Sequence, residues 1–360
     1  MSRLRKVIVS MVSVLAMAIA LGVHAPPANA SVPNVWGFAY VNVAAGVPSL
    51  AHQAGSWAPG LNVSVAPGGL PGQTIVKFPG IGVPGGVVHT TAVVDAPHWC
   101  QVEKWGPSGT DEVVSVRCYQ YGGAPAFAPF TVVFQESSGP LPAPKAFGYV
   151  HWGGLAVATQ YNSALAVNTV TPVTTGRWDV ALPGLGSAGL SGNVQVTAVN
   201  TTRPVRCKVA RWSGNLAQQN IRVHCFDGTL NPYNTGWTLT YHRERAITGM
   251  ALPPKNFAYT FDNNPALSPY VPPAPVNYNS QSAVNTIQTS GVGLRLVTFP
   301  QVGTRPDHVQ VTAYGSGPEY CHLQGLWFTT GVDAYVRNVS CWNATTRQPK
   351  ESLVTYTSAH

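Results

Sequence analysis

Charged residues are scarce in this chain of 360 residues, since Asp, Glu, Lys and Arg together supply only 9% of its positions. This shortage excludes a highly charged disordered protein, and no apolar period of 3.6 persists long enough to indicate a helical bundle. Gly and Pro are instead abundant, with 36 and 31 residues, which is typical of short strands joined by turns. The length allows two or three domains, and 45% hydrophobic residues suffice to give each a core.

Only one long hydrophobic run exists, and it lies at the N-terminus. Residues 7–23 are nearly uncharged, follow three basic residues and precede small residues at 28–30 that suit cleavage. We therefore predict a secretory signal peptide over 1–30, and a mature chain without a membrane span that is secreted, free or retained at the cell wall. A retained membrane anchor is the alternative, but the run is at the short limit for a bilayer and two prolines follow it.

The rest of the sequence repeats the same landmarks three times in the same order. Each copy has a Phe-x-Tyr pair, a strand-like run ending in Pro, a strand with Thr-Ala, and a Cys followed by Trp and a second Cys. This indicates three copies of one module, at 31–140, 141–252 and 253–360, joined by Pro-bearing linkers. Short alternating runs rich in Val, Thr and aromatics predict an all-β sandwich or barrel of about seven antiparallel strands per module.

Cysteine occurs only six times, twice in each copy. In an exported protein this predicts one disulfide per module. Predicted hairpins place the two partners of each bridge on facing strands, and the expected pairs are Cys100 with Cys118, Cys207 with Cys225, and Cys321 with Cys341. Metal binding is the alternative, but two Cys per copy without a clustered His pair cannot complete a tetrahedral shell.

Recognisable catalytic and cofactor motifs are absent. The Gly-rich stretches 80–85 and 184–189 match the spacing of a dinucleotide-binding loop, but each precedes a β-run where a helix N-terminus is needed. The 13 acidic residues do not recur at matching positions, and Asp111-Glu112 lies at the tip of a predicted hairpin, where we expect solvation. We therefore predict no catalytic residue, no metal and no cofactor. A polysaccharide hydrolase confined to one copy is the least favoured alternative.

Tryptophans divide into those that recur in every copy and those that do not. Three recur at one position and are predicted to fill the same core slot: Trp105, Trp212 and Trp327. Trp57 and Trp152 have no Trp counterpart in the other copies and are therefore candidates for ligand binding. Trp99 and Trp342 are also unrepeated, but each lies next to a Cys, where we expect partial burial beside the disulfide.

Positive charge is concentrated in the middle copy. The first copy has 3 basic and 5 acidic residues, the second 9 and 3, and the third 6 and 5, so their charges are −2, +6 and +1. A total of +5 over residues 31–360 gives no continuous basic track, and we do not expect nucleic acid as a partner.

Strand alternation groups the basic residues of the middle copy on one surface. If Cys207 lies opposite Cys225, Ala210 is expected opposite Arg222, and four side chains share the face away from the disulfide. This basic face consists of Arg206, Lys208, Arg222 and His224. It predicts docking of an anionic polymer such as a wall teichoic acid or an acidic polysaccharide, with a merely solvated surface as the alternative.

The repeated landmarks resemble the modules of a known group of proteins. Phe-x-Tyr, Phe-Pro-Gly, Val-Gln-Val-Thr-Ala-Tyr and the Cys, Trp, Cys series are similar to tandem β-rich modules, with one disulfide each, in uncharacterised exported actinobacterial proteins. The resemblance covers nearly all of residues 31–360. It implies fold and export, but no activity, cofactor or catalytic residue.

These observations favour a secreted, non-catalytic binding, adhesion or structural protein. Its surfaces would engage a cell-envelope or extracellular polymer, or an extracellular protein, and several weak sites on one chain would gain by avidity. The alternative is an enzyme inhibitor or toxin-like effector, which would need one protruding loop. The candidate loops are residues 53–60 and 270–277.

Overall fold

Short strands rich in Val, Thr and aromatic residues make up almost all of the regular structure in the computed structural model, which describes residues 34–249 and 254–360. The predicted signal peptide lies outside the described residues. Two single-turn 3-10 helices, Leu50–His52 and Ala274–Val276, are the only helical elements within them. The predicted all-β fold is confirmed.

The first module contains two antiparallel sheets of four strands. Its strands are β1 (Trp36–Val41), β2 (Gln53–Gly55), β3 (Ser64–Pro67), β4 (Gln73–Phe78), β5 (Val87–Ala92), β6 (His98–Ser108), β7 (Asp111–Gln120) and β8 (Phe130–Gln135). One sheet has the order β2-β1-β8-β5 and the other β3-β4-β7-β6. The tight turn between β6 and β7 uses Gly109 at a φ of 64°, a conformation that favours glycine.

The second module repeats this arrangement. Its strands are β9 (Ala146–Trp152), β10 (Val157–Asn162), β11 (Thr169–Thr174), β12 (Arg177–Pro183), β13 (Asn193–Val199), β14 (Val205–Gly214), β15 (Gln218–Asp227) and β16 (Gly236–Arg243). One sheet has the order β11-β12-β15-β14. The other, β10-β9-β16-β13, is continuous with the β6-β7-β4-β3 sheet of the first module through the parallel pairing of β13 with β6, so the two form one sheet of eight strands. The first two modules have eight strands each, one more than the predicted number of about seven.

The third module keeps the same plan with two additional short strands. Its strands are β17 (Phe257–Asp262), β18 (Asn277–Asn279), β19 (Thr286–Gly291), β20 (Leu294–Phe299), β21 (Asp307–Ala313), β22 (Tyr320–Leu323), β23 (Phe328–Thr330), β24 (Asp333–Asn343), β25 (Thr346–Arg347) and β26 (Ser352–Ser358). One sheet has the order β18-β17-β26-β21 and the other β19-β20-β24-β22. Strands β23 and β25 both pair with β24.

Each module is a sandwich whose core lies between its two sheets. In β4 the burial alternates, so that Thr74, Val76 and Phe78 point inward. Val76 belongs to the same apolar cluster as Val132 and Phe134 of the facing sheet. The alternation of residues that predicts strands therefore also determines which side chains point into the core between the sheets.

All three predicted disulfides are confirmed. Cys100 is bonded to Cys118, Cys207 to Cys225, and Cys321 to Cys341. Each bridge joins directly opposite residues of facing strands within one module. Every antiparallel strand pair among the described residues likewise stays within one of the three predicted residue ranges.

Parallel backbone contacts connect the modules in a closed cycle. The amide of Val94 donates to the carbonyl of Leu323 at 2.8 Å, joining the first module to the third. The amide of Gly315 donates to the carbonyl of Val209 at 2.9 Å, joining the third module to the second. The amide of Asn200 donates to the carbonyl of Val102 at 3.0 Å, joining the second module to the first. The three modules therefore surround a common centre with an approximate threefold pattern of contacts.

The strands at that centre are β5, β13 and β21, and they carry the repeated Thr-Ala landmark. Their threonines, the axial threonines, are Thr91, Thr197 and Thr312. Each hydroxyl accepts a hydrogen bond from a backbone amide of the neighbouring module, and the pairs are Val311 to Thr91 at 3.0 Å, Thr90 to Thr197 at 3.3 Å, and Val196 to Thr312 at 3.0 Å. These strands are buried on both faces, so their amides have no access to water.

Removing one axial hydroxyl should destabilise the whole protein. Thr312→Val keeps the shape of the side chain but leaves the buried amide of Val196 without an acceptor. We expect the free energy of unfolding to fall by about 1–3 kcal/mol, as measured by chemical denaturation. Thr171→Val on the exposed strand β11 is the control and should change little. Equal effects of the two substitutions would contradict the central role of the axial threonines.

Candidate functional site

The backbone register of the predicted basic face is correct near the disulfide and wrong beyond it. Lys208 lies opposite His224, as expected from the facing cysteines. The register then shifts between Val209 and Arg211, so that Arg211, and not Ala210, lies opposite Arg222. The shift is a β-bulge, which inserts one extra residue into a strand and which strict alternation does not anticipate.

Most of the basic face is buried. Arg206, Lys208 and His224 are only 6%, 3% and 1% exposed, because the third module packs over this part of strands β14 and β15. Arg222 alone remains near the surface. The four side chains therefore do not form one exposed basic surface, and ligand binding by them stays a prediction.

Lys208 and His224 are held by the third module. The Lys208 ammonium donates to the carbonyl of Gly317 at 3.1 Å and lies 3.3 Å from a carboxylate oxygen of Glu319. Burial lowers the pKa of Lys208 to about 8, although the Glu319 carboxylate opposes that shift. The His224 ring contacts the carbonyl of Ser316 at 3.1 Å, and burial lowers the pKa of His224 to about 4.

A polar groove of about 240 Å³ crosses the outer sheet of the second module. We call it the second-module groove; its polar lining residues are Thr169, Thr171, Asp179, Arg211, Ser213, Asn220 and Arg222. Arg222 donates two hydrogen bonds to the Asp179 carboxylate, at 2.7 and 2.8 Å. Hydrogen bonding from Arg222 is the main reason that the pKa of Asp179 is lowered.

Arg211 is the groove residue that sequence reasoning missed. Regular alternation from Cys207 places its side chain on the same face as the cysteine, away from the basic residues. The bulge after Val209 changes that assignment and sets Arg211 beside Arg222, where its side chain is exposed. Within the described part of the chain, Arg211 forms no ion pair.

The two tryptophans predicted as ligand candidates contribute to the cores instead of presenting free rings. Trp152 is 5% exposed and stacks on Trp237 with ring centres 6.3 Å apart. Trp57 is half-buried against Phe78, and its indole N–H donates to the carbonyl of Leu61 at 3.0 Å. Ligand binding by Trp57 stays a prediction, while little of the Trp152 ring is accessible.

The repeated tryptophans differ in their degree of burial. Trp212 and Trp327 are 3% and 1% exposed and belong to their module cores, as predicted. Trp105 is half-buried, and its ring lies 4.4 Å from the ring of His151 in the second module. Trp99 and Trp342 are buried in one aromatic cluster together with Tyr320.

A buried carboxyl pair is the feature that departs most from the sequence expectation. Asp111 lies near the surface and pairs with Lys77 at 3.1 Å, but Glu112 has no exposed surface. The loop over residues 80–86 covers the hairpin, and its Val83 amide donates to Glu112 at 3.3 Å. Burial raises the pKa of Glu112 to about 8, and the charge of Glu136 adds to that shift.

Glu136 shares this environment without forming a catalytic cleft. Burial raises its pKa to about 7. The nearby pocket of about 280 Å³ between the first two modules is lined by Trp105 and His151, and neither Glu112 nor Glu136 is among the described residues that line it. The two carboxyls are therefore buried and not an accessible acid and base, and at neutral pH Glu112 is mostly protonated while Glu136 is partly so.

The carboxyl pair should make stability depend on pH. Both pKa values lie above the ordinary 4.5, so the folded protein binds more protons than the unfolded chain, and stability falls as the pH rises from about 5 to about 8. Glu112→Gln removes one of the two groups. We expect the variant to gain at least about 1 kcal/mol relative to the unsubstituted protein at pH 8, where part of the buried carboxyl is ionised. At pH 5 we expect almost no gain, because the protonated carboxyl and the amide are both neutral.

Denaturation at both pH values measures this difference. Asp111→Asn is the matched control, since the pKa of Asp111 is lowered and its loss should bring no gain at pH 8. A gain for Glu112→Gln that is equal at pH 5 and pH 8 would show that the carboxyl does not titrate in this range.

The described residues offer neither a clustered metal site nor a spanning helix. No group of three or more His, Cys, Asp or Glu side chains within them is arranged to hold a metal ion. None of the helices in the same ranges is long and apolar enough to cross a membrane. Comparison with known protein families, with curated proteins and with solved structures finds no match.

Proposed function

We propose that the protein is a secreted, non-catalytic binding protein whose second module holds an anionic cell-envelope or extracellular polysaccharide. Three disulfides support export, because such bridges persist in oxidising compartments. The observation that carries the proposal is the second-module groove, where two arginines face one carboxylate on an open sheet surface.

The chemistry of the groove fits an acidic sugar chain. Arg211 and Arg222 supply two positive charges against the single charge of Asp179, so the groove has an excess of one positive charge. The Asp179 carboxylate also fixes the Arg222 guanidinium, which reduces the entropy lost when a ligand binds. Hydroxyl and amide groups along the groove can bond to sugar hydroxyls.

The equivalent sheet of the first module has a different surface. There the Ser115 hydroxyl donates to Glu103 at 2.7 Å, and the amide of Gln73 donates to Ser115 at 3.1 Å. Arg117 lies 3.7 Å from the same glutamate. These side chains bond to one another, so we assign no polymer site to this surface of the first module.

The alternatives have less structural support. An inhibitor needs a protruding loop, but residues 53–55 of the first candidate loop pair with β1 as a strand. In the second candidate loop, Tyr270 exchanges two backbone hydrogen bonds with Ile287, and Val276 is 3% exposed. A glycoside hydrolase needs two carboxyls in one cleft, and the groove contains a single acid, Asp179, which is occupied by Arg222.

Removing the groove arginines should weaken polymer binding. For Arg211→Ala/Arg222→Ala we expect at least about tenfold weaker retention on isolated cell wall or an acidic polysaccharide, since each charged hydrogen bond contributes about 1.5–3 kcal/mol. Binding of the unsubstituted protein should also fall as salt is raised. Sedimentation of the protein with the polymer at low salt measures both effects.

The matched control removes the same charge elsewhere on the second module. Lys145 and Arg203 are both exposed and lie outside the groove. Lys145→Ala/Arg203→Ala should retain most of the binding. Equal losses in the two double variants would indicate attraction by net charge, and unchanged binding after loss of the groove arginines would refute the proposed site.

A further inference from the structure

The centre of the molecule contains a small pocket to which all three modules contribute. It encloses about 50 Å³, and the axial threonines are among its lining residues. Around it lie the residues that precede the first Cys of each copy, which are Trp99, Arg206 and Tyr320. We call this space the axial pocket. One structural position thus carries a cation in one module and an aromatic ring in each of the other two.

Arg206 lies against both aromatic side chains, whose rings contact each other edge to face with centres 5.8 Å apart. Its guanidinium carbon lies 4.8 Å from the centre of the Trp99 ring and 4.7 Å from that of Tyr320. Both distances lie within the range of cation–π interactions, which stabilise the positive charge. A cation–π contact of this kind does not replace the hydrogen-bond acceptors that the five guanidinium N–H groups need.

Those N–H groups have no acceptor in the described part of the chain. None of the three guanidinium nitrogens of Arg206 has a hydrogen-bond partner among residues 34–249 and 254–360, and the side chain is only 6% exposed. Burial lowers the pKa of Arg206 to about 10, so the group remains charged at neutral pH. A buried charge without hydrogen bonds is strongly destabilising, which makes a bound acceptor favourable here.

The carboxylates near Arg206 are already engaged. Glu319 lines the axial pocket, but its oxygens lie 3.3 Å from Lys208 and 2.7 Å from Lys350. Asp227 also attracts the Arg206 charge, yet it accepts hydrogen bonds from the amides of Thr229 and Asn231, at 2.8 and 3.0 Å. The positive charge of Arg206 is therefore not matched by a carboxylate of its own.

We propose that the axial pocket binds one small tetrahedral oxyanion, phosphate or sulfate, which accepts hydrogen bonds from the N–H edge of Arg206. The dimensions favour a free ion over a polymer: a single water needs only about 10–15 Å³ of such space, so about 50 Å³ holds a group of a few atoms. Trp99 and Tyr320 are each 5% exposed, which leaves no open groove for a chain.

Oxyanion binding in the axial pocket does not depend on polymer binding in the second-module groove. The oxyanion would contact groups from several modules and would bind only when the three modules are assembled. Because a ligand that binds only the folded state stabilises it, phosphate or sulfate should raise the stability of the whole protein. The second-module groove is not needed for this effect, so either proposal can fail without the other.

Equilibrium dialysis of the protein with radiolabelled phosphate, at constant ionic strength in chloride, tests the site. We expect saturable binding of one phosphate per chain, competition by sulfate, and a parallel rise in the thermal unfolding temperature. Arg206→Met should weaken phosphate binding by at least about tenfold, because it removes the charged donors but keeps a long side chain. Arg203→Met, which removes an exposed arginine outside both the axial pocket and the second-module groove, is the control and should bind phosphate normally.

A second measurement keeps the test decisive if Arg206→Met does not fold. Crystals of the unsubstituted protein grown with selenate should show an anomalous peak beside the Arg206 guanidinium. Absence of saturable phosphate binding in the unsubstituted protein, full binding by a folded Arg206→Met variant, or ordered water alone beside Arg206 would each overturn the proposal.

Discussion

The arrangement of the three modules depends on the hydrogen bonds of the axial threonines. Strands β5, β13 and β21 are buried on both faces, so a backbone amide that points toward a neighbouring module must find an acceptor there. Thr91, Thr197 and Thr312 provide that acceptor in the same way at each interface. Valine would fill the same space but could not accept a hydrogen bond, which explains why a polar residue occupies a fully buried strand in every copy.

The sequence predicted features that arise within one module. Alternating burial, as in β4, reflects contacts between two sheets of the same copy, and the Cys pairs bridge neighbouring strands. Both depend on short-range patterns that a single copy contains in full. The repeated Thr-Ala landmark is also evident in the sequence. The structural role of its threonine is not, because the partner of each axial threonine is a backbone amide in another copy.

The candidate site was harder to predict because it depends on contacts between modules. Strand alternation gives the face on which Arg206 and Lys208 lie, but not whether water or the third module covers that face. Glu112 was misjudged for a similar reason, since the loop that buries it is distant from the hairpin in sequence. Arg211 was missed because a bulge, which has no clear signature here, reverses the alternation.

Joining three copies in one chain permits a centre that identical subunits could not form. In a trimer of identical subunits, any residue beside the axis occurs three times, and three arginines at the position of Arg206 would repel one another in a buried space. Here the copies differ, so one guanidinium can lie against the rings of Trp99 and Tyr320. The same divergence gives the second module alone a groove with Arg211 and Arg222. Chemical specialisation therefore occurs where equivalent positions carry different residues, while the residues that the copies share hold the modules together.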